Sequence, residues 1–249
     1  MRCFAGVLLT GLLLVACAAP PLDRPLPATA AIAADQAGTR YALDAAQSAV
    51  RIHVFRAGRA AHLGHNHVLS VPRLRGLLLV PEGDKAAGAR FELSFRLDDL
   101  VVDEPALRTA LGPGWASLMS AEAIAATRVN MLGEGNLQAE RFPDVQLRSR
   151  LIAGEWPKLV AELEIELHGQ RRLQLLPLQA EMAAGRIKAS GSLVLRQSDF
   201  GIAPFSVMGG LLAVRDELLI EFELVANRSA QINPSNGSTS TQSPAATSP

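Results

Sequence analysis

Ala161-Glu162-Leu163-Glu164-Ile165-Glu166-Leu167-His168 is the stretch on which the fold turns. Every second residue is apolar, and the intervening ones are three glutamates and a histidine. A period of two puts Leu163, Ile165 and Leu167 on one face of an extended strand and the charges on the other. Such a strand has one dry face and one wet face, as in an antiparallel sheet covered on a single side. The glutamates then form a carboxylate stripe on a solvated face.

The same pattern recurs on both sides of this stretch. In Arg90–Leu97, Phe91, Leu93, Phe95 and Leu97 oppose Arg90, Glu92, Ser94 and Arg96; near the end, Ile220, Phe222 and Leu224 oppose Glu221 and Glu223. Weaker copies occur at Val50, Ile52 and Val54, and at Val145 and Leu147. Turn residues separate the runs: Pro81-Glu82-Gly83-Asp84, Gly154, Gly169, Gly185 and Gly209-Gly210. Helical character is confined to Glu104–Leu111 and Ser120–Asn130, the second preceded by an imperfect capping signal and ending before Gly133. The expectation is an all-β domain of about eight strands with one or two short inserted helices. It closes as a sandwich or as a barrel, and periodicity alone does not choose between a packed and a hollow interior.

The ends of the chain differ from its middle. Arg2 precedes an apolar run from Val7 to Val15, too short to span a bilayer's ~30 Å of hydrocarbon as a helix and of the length of a signal-peptide core. Leu14-Val15-Ala16-Cys17 resembles the lipobox of bacterial lipoproteins, which predicts a signal peptide over 1–16 and lipidation at Cys17. Ala18 follows where aspartate would signal retention at the inner membrane, so the outer membrane, facing the periplasm, is expected. Residues 17–39 are Ala/Pro-rich and suit a flexible tether, whereas 227–249 are Ser/Thr/Asn/Pro-rich and suit a disordered tail. This leaves 40–226 for one domain. The other cysteine, Cys3, lies in the leader, so neither a disulfide nor a thiol nucleophile is expected in the domain. With 24 basic and 24 acidic residues the net charge is zero, and nucleic-acid binding lacks an electrostatic basis.

Several motifs, in order, carry a resemblance. They are Tyr41-Ala42-Leu43-Asp44-Ala45-Ala46-Gln47-Ser48, His65-Asn66-His67 with Arg75-Gly76, and Asn130-Met131-Leu132-Gly133 with Leu137 and Arg141-Phe142-Pro143. Leu167-His168-Gly169 and Arg196-Gln197-Ser198-Asp199-Phe200-Gly201-Ile202 complete the set. Residues 41–226 thereby resemble the YceI-like lipid- and isoprenoid-binding family. The resemblance implies a lipocalin-like antiparallel β-barrel enclosing a polyisoprenoid or fatty-acyl lipid, for carriage or storage, without enzymatic activity or cofactor. One departure is Asp103-Glu104-Pro105-Ala106-Leu107-Arg108, where the family often has an Arg-Asp pair. Exposing a sixteen-carbon tail to water costs on the order of 10 kcal/mol, which gives such a shielding protein its physical purpose. Phe91, Leu93, Phe95, Leu163 and Ile165 are the expected ligand-lining residues, with His65 and His67 at the headgroup. The expected partners are the apolar ligand, a membrane held through Cys17 and, as an option, a second copy of the chain.

Four of the five histidines, His53, His62, His65 and His67, fall within fifteen residues of one another. An alternative function follows: a metal- or cofactor-binding envelope protein in which His62, His65 and His67 supply three imidazoles for zinc or copper. Against it, neither Asp nor Glu occurs between Asp44 and Glu82. A third option is a partner-binding lipoprotein with a filled barrel. Serine nucleophile elbows and phosphate-binding Gly loops are absent.

Overall fold

The computed structural model describes residues 28–229. The assignments of a signal peptide, of lipidation at Cys17 and of a tail beyond residue 229 lie outside the described residues.

The described residues form twelve strands, with two α-helices between the sixth and the seventh. The first half holds β1 (Thr39–Leu43), β2 (Ala49–Ala57), β3 (His67–Ser70), β4 (Arg75–Val80), β5 (Arg90–Arg96) and β6 (Val101–Val102). Helices α1 (Pro105–Ala110) and α2 (Ala121–Leu132) follow. The second half holds β7 (Asp144–Glu155), β8 (Lys158–Leu167), β9 (Gln170–Ala183), β10 (Arg186–Arg196), β11 (Ser206–Val207) and β12 (Leu212–Arg228).

The described pairings are antiparallel, and β12 closes the sheet on itself. Its end, Ala226–Arg228, pairs with β1, while Ala213–Glu223 pairs with β2. Strands β1 and β2 are one long strand broken by a 3₁₀ turn at Ala45–Gln47, which the Asp44 carboxylate caps by accepting from the N–H groups of Ala46 and Gln47. The pairs β3–β4 and β5–β6 are broken in step, since β3 and β6 extend the sheet from β2 while β4 and β5 extend it from β1. Counting each broken pair once gives a closed barrel of eight staves. Closure removes the free edges that would otherwise invite strand addition.

Local chemistry explains the main elements. The alternation in β8 and β5 places Leu163, Ile165, Leu93 and Phe95 on the dry face, with Leu93 facing Leu147 and Leu147 facing Ile165 across the ladders. A bulge between Ser149 and Leu151 bends β7, and Ser149 Oγ accepts from the Phe91 N–H at 2.8 Å. Ser120, the first residue of the helix expected from sequence, caps α2 by accepting from the Ala123 N–H at 3.2 Å, and α2 runs two residues past the expected end to Leu132. The Arg128 guanidinium donates to the carbonyls of Leu100 and Asp98, which fastens α2 to the turn after β5. None of the described helices is long and apolar enough to cross a membrane.

Residues 28–38, expected as part of the tether, lie against the outer wall. Ile32 is buried and its N–H donates to Glu92; Thr29 donates from N–H and hydroxyl to Glu164 at 2.8–3.1 Å. Glu164 is only 2% exposed, so the middle of the expected wet stripe is covered by this arm. At the other end β12 runs to Arg228, past the boundary expected at 226, with the Arg228 N–H donating to Gly185 O.

Candidate functional site

The dry faces do not meet. They enclose a cavity of about 210 Å³ whose wall draws on all eight staves. An engineered apolar cavity of ~150 Å³ already admits benzene, so this space is large enough for an apolar guest. Phe91, Leu93, Phe95, Leu163 and Ile165, the five apolar residues expected to line a ligand, all stand in its wall. Arg90 is the one polar residue there, and its guanidinium turns outward to the carbonyl of Ala30 and the side chain of Gln36. A lumen without polar partners does not hold water stably.

Two strand glycines let large side chains lie close to the wall. Gly76 sits opposite Leu93, and a Cβ there would stand 2.4 Å from Leu93 Cδ2. Gly191 sits opposite Phe222, and a Cβ there would stand 2.8 Å from Phe222 Cζ. Each glycine leaves a hollow into which its neighbour leans instead of projecting to the barrel axis. Ala180 and Ala189 also face the lumen with short side chains. Toward the end where β1 begins, Tyr41, Val80, Ile187 and Ala226 form a second buried cluster that adjoins the cavity, with Tyr41 fully covered and its hydroxyl 3.4 Å from Met182 Sδ.

The histidines take other roles. His65 and His67, expected at a ligand headgroup, are absent from the cavity wall. His67 Nδ1 lies 2.6 Å from Asp103 Oδ2, and Asp103 is wholly buried. The other oxygen of Asp103 accepts from the Val68 N–H at 3.0 Å and from Arg108 Nη1 at 2.6 Å. Arg108, 4% exposed, also donates to Asn66 O, and through Nη2 to Ser117 Oγ, which lies 3.1 Å from His65 Nδ1. Burial opposes ionisation of Asp103, but His67, the Val68 N–H and Arg108 outweigh it and hold the carboxyl below its usual range. Burial, and then the positive charge of Arg108, lowers the pKa of His65. The chain is threaded to permit this: Asp103 adopts φ 55°, a left-handed conformation that Asp tolerates better than most residues.

The three imidazoles of the metal alternative have separate contacts in this geometry. His67 is committed to Asp103 and His65 to Ser117, and His62 is exposed on a 3₁₀ turn. Among the described residues no group of three or more His, Cys, Asp or Glu side chains converges as a metal site. His53, buried on the outer face of β2, meets Glu221 at 2.8 Å and the edge of Trp115. Sequence reading missed Gly76 and Gly191 as determinants of the lumen. Asp103 and Arg108 were visible in sequence only as a departure, and their pairing across five residues was the available signal.

No protein-family model and no curated protein matches the chain. Solved structures do. BcnA of Burkholderia cenocepacia aligns with a TM-score of 0.53 at 15% identity, over 74% of this chain and 99% of that one. A mutant of the Campylobacter jejuni YceI protein aligns with a TM-score of 0.50 at 11% identity, over 65% and 85% of the two chains. A polyisoprenoid binding domain from Saccharophagus degradans gives a TM-score of 0.49 at 13% identity, over 76% and 98%. At such identities the likeness is one of architecture: the chain has the barrel fold of the YceI-like proteins.

Proposed function

We propose that this protein holds one linear hydrocarbon chain, of polyisoprenoid or fatty-acyl type, inside its barrel, for carriage or storage and not for chemical conversion. The observation that carries this reading is the dry, elongated lumen. Its wall runs from Ala89 and Trp156 at one end to Leu69 and Leu218 at the other, with only the Arg90 stem interrupting an apolar surface. A ligand with polar groups along its length would lose hydrogen bonds on entry, at ~1–3 kcal/mol for each group left unpartnered. A plain chain loses nothing and removes its own apolar surface from water. The lipobox-like segment ending at Cys17 supports a place on the periplasmic face of an outer membrane, where such a chain needs shielding.

Native mass spectrometry of the purified full chain tests the proposal. A bound mass that denaturation releases, identified as a hydrocarbon-chain lipid, is the expected result. A delipidated sample should also take up cis-parinaric acid with a rise in its fluorescence. A protein that is empty as isolated and leaves cis-parinaric acid dark would overturn the reading.

A further inference from the structure

The end of the barrel that carries the β2–β3 connection has an outer surface which the cavity does not explain. Strands β2, β3 and β12 pair antiparallel, so residues 58–66 and the β11–β12 hairpin emerge at the same end. Hydrogen bonds stitch these loops together: Arg59 N–H to Gly210 O and Ala60 N–H to Leu211 O. The 112–118 loop joins them through Asn66, which donates to Gly114 O, and through the His65–Ser117 contact. Three adjoining loops thus form one tip.

This tip displays large apolar side chains to solvent. Leu118 is 97% exposed, Met208 72%, Leu63 66% and Val207 36%. Single exposed hydrophobics need no explanation, but four on three stitched loops form a patch. Met208 adds a second signal: it holds φ 54°, a left-handed conformation costly for a bulky residue and suited to Gly or Asn. The hairpin therefore carries a methionine where the backbone favours something smaller. The charges on these loops have one sign. Residues 56–66 contain Arg56, Arg59, His62 and His65 with neither Asp nor Glu, and 112–118 and 205–211 add none. The acids beside them are engaged: Asp103 is buried against His67 and Arg108, and Asp216 on β12 is held by Arg196 and Ser198.

We infer that this tip is a bilayer-contact surface, in which Leu63, Leu118 and Met208 enter the interface of a phospholipid membrane while Arg56 and Arg59 meet anionic headgroups. Exposed apolar side chains on loops that carry Arg56 and Arg59 and lack carboxylates of their own match that partner in both hydropathy and charge. The strands bearing the loops also carry Ile52, Leu69 and Leu218 in the cavity wall, so docking here sets the lumen's end against the membrane. The inference stands apart from the identity of any ligand, and its failure would leave the cavity reading intact.

Trp115, in the 112–118 loop and in edge-on contact with His53 and Phe55, is a built-in reporter. The full chain is mixed with phosphatidylcholine vesicles bearing brominated acyl chains, with and without phosphatidylglycerol. N-terminal membrane attachment is then common to every variant. The expected result is quenching of the Trp115 component, identified as the part that Trp115→Phe removes, and stronger quenching on anionic vesicles. Each of Arg56→Ala and Arg59→Ala should weaken the anionic preference about fivefold. Combining Leu63→Ser, Leu118→Ser and Met208→Ser should abolish the quenching with an unchanged circular dichroism spectrum. Should that combination misfold, Leu118→Ser alone, at the most exposed site, should reduce the quenching severalfold. Equal quenching in parent and variant, or none in either, would overturn the inference. So would dimerisation in solution that the same serine substitutions disrupt, which would assign the patch to a second copy of the chain.

Discussion

The ring of Phe222 lies so close over Gly191 that a Cβ on the glycine would stand 2.8 Å from Cζ and 3.1 Å from Cε1. The two residues face each other across the β10–β12 ladder, with Phe222 in the cavity wall and Gly191 in register between the lining residues Ala189 and Leu193. The glycine therefore sets how far a large aromatic projects into the lumen. The emptiness of the barrel depends on this packing as well as on the number of its staves.

Gly191→Ala should narrow the lumen. The added methyl also meets Pro177 O at 3.1 Å, a backbone atom that does not yield easily, so the ring swings inward. Uptake of cis-parinaric acid by the delipidated variant should fall severalfold, with a stability loss of about 1–3 kcal/mol in urea titration. Unchanged uptake would show that Phe222 does not bound the ligand space. Ala189→Phe, which fills the lumen from the same strand, should reduce uptake further.

Leu163→Ala works in the opposite direction. Leu163 is 1% exposed and stands in the cavity wall, so its truncation enlarges an existing void. The loss of stability should be about 2–5 kcal/mol for the delipidated protein. A bound chain restores contacts to the cavity lining, so the lipid-loaded variant should lose less. Calorimetry of loaded and stripped samples compares the two. An equal loss in both would mean that no ligand touches position 163.

Much of this architecture is legible in the sequence, because alternation over eight residues at Ala161–His168 and Arg90–Leu97 leaves no other economical assignment. Those runs place Phe91, Leu93, Phe95, Leu163 and Ile165 on one face, and the cavity wall contains all five. What the pattern does not carry is whether opposing dry faces touch. That depends on Gly76 and Gly191, and a strand glycine looks the same in a sequence whether it marks a bulge or makes room for a ring. The histidines mislead for a related reason. Spacing brings His65 and His67 together along the chain, but their partners come from other segments: Asp103 is 36 residues beyond His67. Glu164 was indistinguishable from Glu162 and Glu166 in sequence, since nothing in β8 reveals that Thr29 covers it.

Asp103→Asn should separate charge from shape at the network beside α1. Asparagine fits the left-handed backbone at this position, so the change removes a charge without new strain. Arg108 is then left buried without its anion, at a cost of about 3–5 kcal/mol at neutral pH. The folded pKa of Asp103 is depressed, so its stabilisation is present above the unfolded carboxyl value of ~3.9 and is lost as pH falls through the lower folded value. The deficit of the variant should therefore shrink in that acid window. Urea titrations across pH for both proteins check this, and a deficit constant down to the lowest pH would remove Asp103 ionisation as its source.

The arm across the outer wall gives the last test. The Glu164 carboxylate accepts from the Thr29 N–H with both oxygens and from its hydroxyl at 2.8 Å, and the arm shields it from water. Thr29→Val keeps the size of the side chain and removes the hydroxyl bond. A hydrogen bond to a charged acceptor contributes about 1.5–3 kcal/mol, so opening of the arm should rise about tenfold or more. Barrel unfolding should change less, because Ile32 and Arg40 still fasten the segment through Glu92 and the Ala33 carbonyl. Limited proteolysis should therefore cut the variant within residues 28–38 faster than the parent while the barrel fragment persists. Equal cleavage rates would mean that Ile32 and Arg40, and not the Thr29 hydroxyl, hold the arm against the barrel wall.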